Sequence, residues 1–212
     1  MNKESKNIEI KIPEVILPGI LSLVSGSKSL VIFAHGAGSS RLSPRNTFVA
    51  DYLNSKGFST LLFDLLTEDE DLVYENRFDI DLITDRLVAA TKWIAAQKEL
   101  SKLQIGYFGA STGAAAALKA AVRLQETIKA IVSRGGRPDL ALSDLAKVEI
   151  PTLLIVGELD DIVIALNEEA YWELGGIKEM VVIPGATHLF EEPGALEMVA
   201  EKAASWFEEY LE

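Results

Sequence analysis

Ser111 stands between two glycines in the stretch GASTG (109–113), where the apolar run LQIGYF gives way to the alanine-rich TGAAAALKAA. Serine is a mediocre helix former and glycine a worse one, so local propensity does not explain this junction. A sharp strand-to-helix turn there lifts the hydroxyl above the end of the strand. Such a hydroxyl attacks a carbonyl at neutral pH only when a base takes its proton. Two histidines are available, His35 in FAHGAG and His188 in GATHLF, each just after an apolar run. The imidazole needs a carboxylate to fix its tautomer and stabilise its cation. The stretch ELDDIV supplies Asp160 and Asp161, of which Asp161 is also suited to capping the next helix. These residue types permit nucleophilic acyl transfer, with Ser111 as nucleophile, His188 as base and Asp160 as the orienting acid.

A developing oxyanion needs two backbone donors. Thr112 N–H, next to the nucleophile, is one. The glycine-rich HGAGSS (35–40) offers Ala37 N–H as the other, with Gly36 and Gly38 letting the loop approach the substrate. His35 then reads as a structural turn residue. The same loop has a rival interpretation, because Gly36 to Arg41, followed by Asp64, imitates a dinucleotide fingerprint. Arg41 replaces the third glycine, and the helix signal comes only at Ser43 and Pro44, too late to bring a helix N-terminus to a pyrophosphate. Neither a P-loop nor H-E-x-x-H occurs, and there is no cysteine for a thiolate site or a disulfide. No cofactor and no metal is expected.

These loops need a scaffold. Short, nearly continuous apolar runs at 30–34, 59–63, 103–108, 128–133, 152–156 and 179–183 suit parallel strands covered on both faces. Helical patterns near 44–56, 79–99, 112–125, 138–147, 164–174 and 193–211 lie between or after them. The alternation predicts an α/β fold with right-handed crossovers. Before it, Ile8, Ile10 and Ile12 alternate with polar residues, and Ile20 to Val24 return after Pro18-Gly19, as in an antiparallel pair. Residues 1–212 read as one domain, with 1–7 as a disordered tail. The acidic run TEDEDLVYE (67–75) reads as a solvated loop.

The net charge is −12 and the isoelectric point near 4.7. Binding to phosphate backbones needs a basic face, and anionic membranes repel an acidic protein. No run of about 20 apolar residues occurs. The expected partner is a small molecule, not a nucleic acid or a membrane, and the expected location is the cytoplasm. Oligomeric state leaves no mark on the sequence.

Several stretches (AHGAGSSRLSPRN, GYFGASTGAAAAL, SRGGRPDLA, GELDDIV and PGATHLFEEPGA) resemble small bacterial α/β-hydrolases of the dienelactone hydrolase-like group. The similarity runs from about Ile8 to Trp206. It implies a single-domain α/β-hydrolase fold, with a mostly parallel sheet of about eight strands and helices on both faces. It implies hydrolysis of esters or lactones by Ser111, Asp160 and His188. Gly157, Asp160 and Val163 look like the acid-bearing loop of related sequences, which favours Asp160 over Asp161. Dienelactone hydrolases proper use a cysteine nucleophile; Ser111 puts this chain nearer to general esterases. The stretch 134–151 is too short for a large lid.

Arg41, Arg45, Arg77, Arg134 and Arg137 fall at the C-terminal ends of strands, on the presumed active face. Arginine grips carboxylate and phosphate in a way lysine cannot, so Arg41 or Arg134 is expected to hold an anionic group of the substrate. The alternative is that these arginines brace loops through carboxylates such as Asp64, Asp79 and Asp139. The functional expectation is a serine hydrolase cleaving a small ester, thioester or lactone through an acyl-enzyme. The alternatives are a non-catalytic binding protein on the same fold and an acyltransferase.

Overall fold

The computed structural model describes residues 2–211. Eight strands form one sheet: β1 (Lys3–Lys11), β2 (Ile16–Val24), β3 (Ser29–Ala34), β4 (Ser59–Phe63), β5 (Gln104–Ala110), β6 (Ile128–Arg134), β7 (Thr152–Gly157) and β8 (Lys178–Ile183). Their spatial order is β1-β2-β4-β3-β5-β6-β7-β8. The pairs β1/β2 and β2/β4 are antiparallel, and all others are parallel. The helices are α1 (Pro44–Ser55), α2 (Glu68–Asp71), α3 (Ile80–Ala95), α4 (Thr112–Arg123), α5 (Leu142–Leu145), α6 (Asp161–Glu173) and α7 (Ala195–Tyr210).

The central strands are apolar throughout because they are covered on both sides. Every residue of β3 and β7 is buried. One core lies under α3 and α4, built from Ile32, Leu61, Tyr107, Ala116 and Leu154 among others. The second lies under α1 and α7 and includes Phe33, Phe108, Val199 and Phe207. Fully burying an aliphatic or aromatic side chain of this kind contributes about 1.5–3 kcal/mol, so the two layers fix the level of every strand end.

Three expectations change. The first residues, read as a tail, form β1 from Lys3, paired in register with β2 (Lys3 opposite Val24). The side chains of residues 3–7 are all exposed; the hold of this first half of β1 is the backbone ladder, which leaves no apolar pattern in the sequence. The acidic run is largely exposed, as expected, but part of it is helix, not loop. Thr67 and Glu70 close a capping box on α2, and Glu70 pairs with Arg86 at 2.7 Å. The helix expected at 138–147 is two short turns, a 3-10 turn at Pro138–Ala141 and then α5. Those turns are all the helix that the β6–β7 connection carries among the described residues, too little for a large lid in that connection.

Candidate active site

Ser111 joins β5 to α4 with φ +50° and ψ −122°, a region that costs a non-glycine residue about 1–3 kcal/mol. Neighbours over-determine it. Its N–H donates to Arg134 O (3.2 Å), and its carbonyl accepts from Ala114 N (3.0 Å) and Arg137 N (3.1 Å). The flanking glycines are steric requirements. A Cβ at Gly113 would stand 2.2 Å from Ala34 O, and one at Gly109 2.5 Å from Ala114 Cα. Although Ser111 occupies the N-cap position of α4, its side chain makes no cap hydrogen bond. The hydroxyl is left for other partners.

Asp160 follows β7 and His188 follows β8. Their loops are stitched together by Leu159 N donating to Ala186 O (2.9 Å) and Gly185 N donating to Glu158 Oε2 (2.7 Å). His188 Nδ1 and Asp160 Oδ2 are 2.6 Å apart. Asp160, not Asp161, holds the N-cap position of α6, yet it makes no cap bond; its carboxylate faces the imidazole instead. Asp161 is exposed in the first turn of α6. The His188 side chain is 39 % exposed and that of Asp160 14 %. The ring lies over the end of β6, since a Cβ on Gly135 would sit 3.5 Å from His188 Cε1. Arg134, just before Gly135, takes the Ser111 N–H. His188 and Asp160 are thus joined, and the imidazole lies over the end of β6, the strand next to the one that ends in Ser111; among the described residues no hydrogen bond joins Ser111 Oγ to the ring. Such bonds are often long before substrate arrives.

The Ala37 loop is adjacent to the elbow as expected, but its donor is not free. Ala37 N donates to Thr112 Oγ1 at 2.9 Å. The buried Thr112 hydroxyl needs a partner, and this N–H is at hand. Gly36 lies against the nucleophile; a Cβ there would come within 3.0 Å of Ser111 Cβ. Gly38 turns the loop with φ +67°. Beside the loop runs a groove of about 480 Å³ lined in part by Ser39, Arg41, Asp64 and Glu68.

His35 is buried with both ring nitrogens engaged. Nε2 accepts from Leu65 N (3.0 Å), so Nδ1 carries the proton and donates to Gly36 O (3.0 Å). Burial holds its pKa below the ordinary histidine value, which keeps the ring neutral and the loop anchored.

Arg41 does not face a substrate space unpaired. Asp64 accepts from both its backbone N–H and its guanidinium, so the loop-bracing alternative holds there. Arg134 differs: it is 8 % exposed, and Nη2 reaches Asn46 Oδ1 at only 3.4 Å. Sequence reasoning named Arg134 but missed Asn46 and Phe190, whose ring centre is 5.9 Å from the guanidinium carbon. It also missed the Thr112 side chain, for which no sequence signal exists beyond its place after Ser111.

Residues 28–212 match the model of the dienelactone hydrolase family. The chain belongs to that family. The crystal structure of a dienelactone hydrolase from Anabaena variabilis is 50 % identical, with a TM-score of 0.96 over 99 % of both chains. Est1E from Butyrivibrio proteoclasticus superposes with a TM-score of 0.82 over 96 % of this chain and 98 % of its own, at 17 % identity, which speaks for the fold alone. A Mycobacterium tuberculosis protein named "Putative phosphoribosyl transferase" is 49 % identical over 97 % of this chain and 46 % of its own length. The chain thus spans about half the length of this curated relative. Family and fold together support a hydrolase.

Proposed function

We propose that this chain is a serine hydrolase that cleaves a small carboxylic ester, thioester or lactone through an acyl-enzyme. The observation that carries the reading is the His188–Asp160 hydrogen bond beside a serine held at positive φ on a strand-to-helix elbow. Ser111 Oγ attacks the carbonyl carbon while His188 Nε2 takes the hydroxyl proton. Asp160 holds Nδ1–H and stabilises the imidazolium. The oxyanion is held by Thr112 N–H and by Ala37 N–H, the latter once the Thr112 hydroxyl yields its place. Collapse expels the leaving group, protonated by His188, and water then attacks the acyl-Ser111 ester with the same histidine as base.

The family match covers residues 28–212, so the hydrolase reading, and not the name of a relative about twice as long, is assigned here. The expected substrate is a small molecule in the cytoplasm, and no helix among the described residues is long and apolar enough to cross a membrane. A panel of esters, thioesters and lactones assayed beside Ser111→Ala tests the proposal. Turnover of at least one class, abolished by the substitution, supports it. Turnover that survives Ser111→Ala refutes it.

A further inference from the structure

Four of the five arginines at the strand ends have a carboxylate partner. Arg41 has Asp64, Arg45 has Glu191, Arg77 has Asp71 and Arg137 has Asp139. Arg134, the most buried of them, has none among the described residues. Its Nε and Nη1 are buried without any hydrogen-bond partner. Nη2 has only the long contact to Asn46 Oδ1, and the Phe190 ring covers one side. A buried cation without a counter-charge is strongly unfavourable.

The surroundings add positive potential. Arg45 is close enough to repel Arg134, and its own Nε is buried and unpartnered. Burial, with Arg45 as the second cause, brings the Arg134 pKa down to about 10. Arg45 and Asn46 sit in the first turn of α1, which contains no acidic residue, so the positive end of that helix faces the same place. In a chain of net charge −12, this is a local surplus of cations. It also adjoins the chemistry. The Arg134 carbonyl accepts from Ser111 N, and a Cβ on Gly135 would stand 3.3 Å from His188 O. Phe190, two residues past His188, packs on the guanidinium.

We propose that Arg134 and Arg45, with the first turn of α1, form an oxyanion-binding pocket beneath the His188 loop. Its ligand is a carboxylate or phosphate-type group, carried by the substrate or free in solution. Guanidinium groups fit both through charge-assisted hydrogen bonds. Glu191, on the His188 loop and 63 % exposed, reaches Arg45 Nη1 at 2.8 Å and acts as a displaceable internal carboxylate. The substrate-borne case rests on the serine-hydrolase reading; the free-anion case does not.

The test uses the full chain and the variants Arg134→Gln, Arg45→Gln and Glu191→Gln. The first readout is kcat/KM for two esters of matched size, one neutral and one ending in a carboxylate or a phosphate. If the substrate supplies the anion, the anionic-to-neutral ratio falls about tenfold or more in both arginine variants, the usual scale for a lost charge-assisted contact. It rises in Glu191→Gln. The second readout is the shift in Tm caused by sodium phosphate, relative to sodium chloride at equal ionic strength. If a free anion fills the pocket, phosphate raises Tm in the unmodified chain and in Glu191→Gln, and the rise disappears in Arg45→Gln, whose partly exposed site leaves folding intact. An unchanged ester ratio together with an unchanged phosphate effect in Arg45→Gln overturns the proposal. If no ester is turned over at all, the serine-hydrolase reading fails while the Tm experiment still decides the pocket.

Discussion

The two histidines occupy similar places, each in a loop just after a parallel strand, yet their second nitrogens differ. His35 has Nε2 bound by Leu65 N–H and Nδ1 by Gly36 O, and it is buried. His188 has Nδ1 on Asp160, a second nitrogen with no hydrogen-bond partner among the described residues, and a side chain 39 % exposed. One ring has no site left from which to accept a proton, and the other keeps one open. Residue type and position after a strand do not separate them; hydrogen-bond saturation does.

The largest expected effect falls on the free ring. His188→Gln should lower kcat by about 10⁴-fold or more, the scale seen when a triad base is lost, with Tm nearly unchanged. Asp160→Asn should cost a similar factor by favouring the wrong tautomer. Asp161→Asn, one residue on, should leave kcat within about twofold, because its exposed carboxylate acts only on the helix dipole. Equal losses in the two aspartate variants would break the assignment.

His35 should respond in stability instead. His35→Leu removes two buried hydrogen bonds and should cost about 1–3 kcal/mol, read from denaturant midpoints. Its pH dependence follows from the lowered pKa. As pH falls below about 6.5, the unfolded chain takes up a proton that the folded ring refuses, so folding stability declines. The contribution is complete above that pH. In His35→Leu this part of the acid-side decline should vanish, and a slope that persists unchanged would assign the titration to another group. The smallest effect is expected at Glu191→Gln, an exposed ion pair whose loss should change stability by less than about 1 kcal/mol.

Much of the scaffold was legible because buried parallel strands must be apolar on both faces; LVIFA and TLLIV admit little else. The elbow was legible because steric demands at Gly109 and Gly113 are written as residue type. The first half of β1 was not, since backbone pairing needs no particular side chain. Nor was the contrast between Arg41 and Arg134. Both are arginines after strands, and only the fold shows that Asp64 reaches one while, among the described residues, no carboxylate reaches the other. The Thr112 hydroxyl bond to Ala37 N–H likewise depends on how two distant loops abut.

The central claim is that an imidazole held by Asp160 makes Ser111 a nucleophile. The most direct measurement is the rate and site of covalent labelling by a fluorophosphonate, located by peptide mass spectrometry in the unmodified chain and in His188→Gln. The account predicts a single adduct on Ser111 whose formation collapses when His188 is replaced. An adduct elsewhere, or labelling of Ser111 at the same rate without His188, would contradict it.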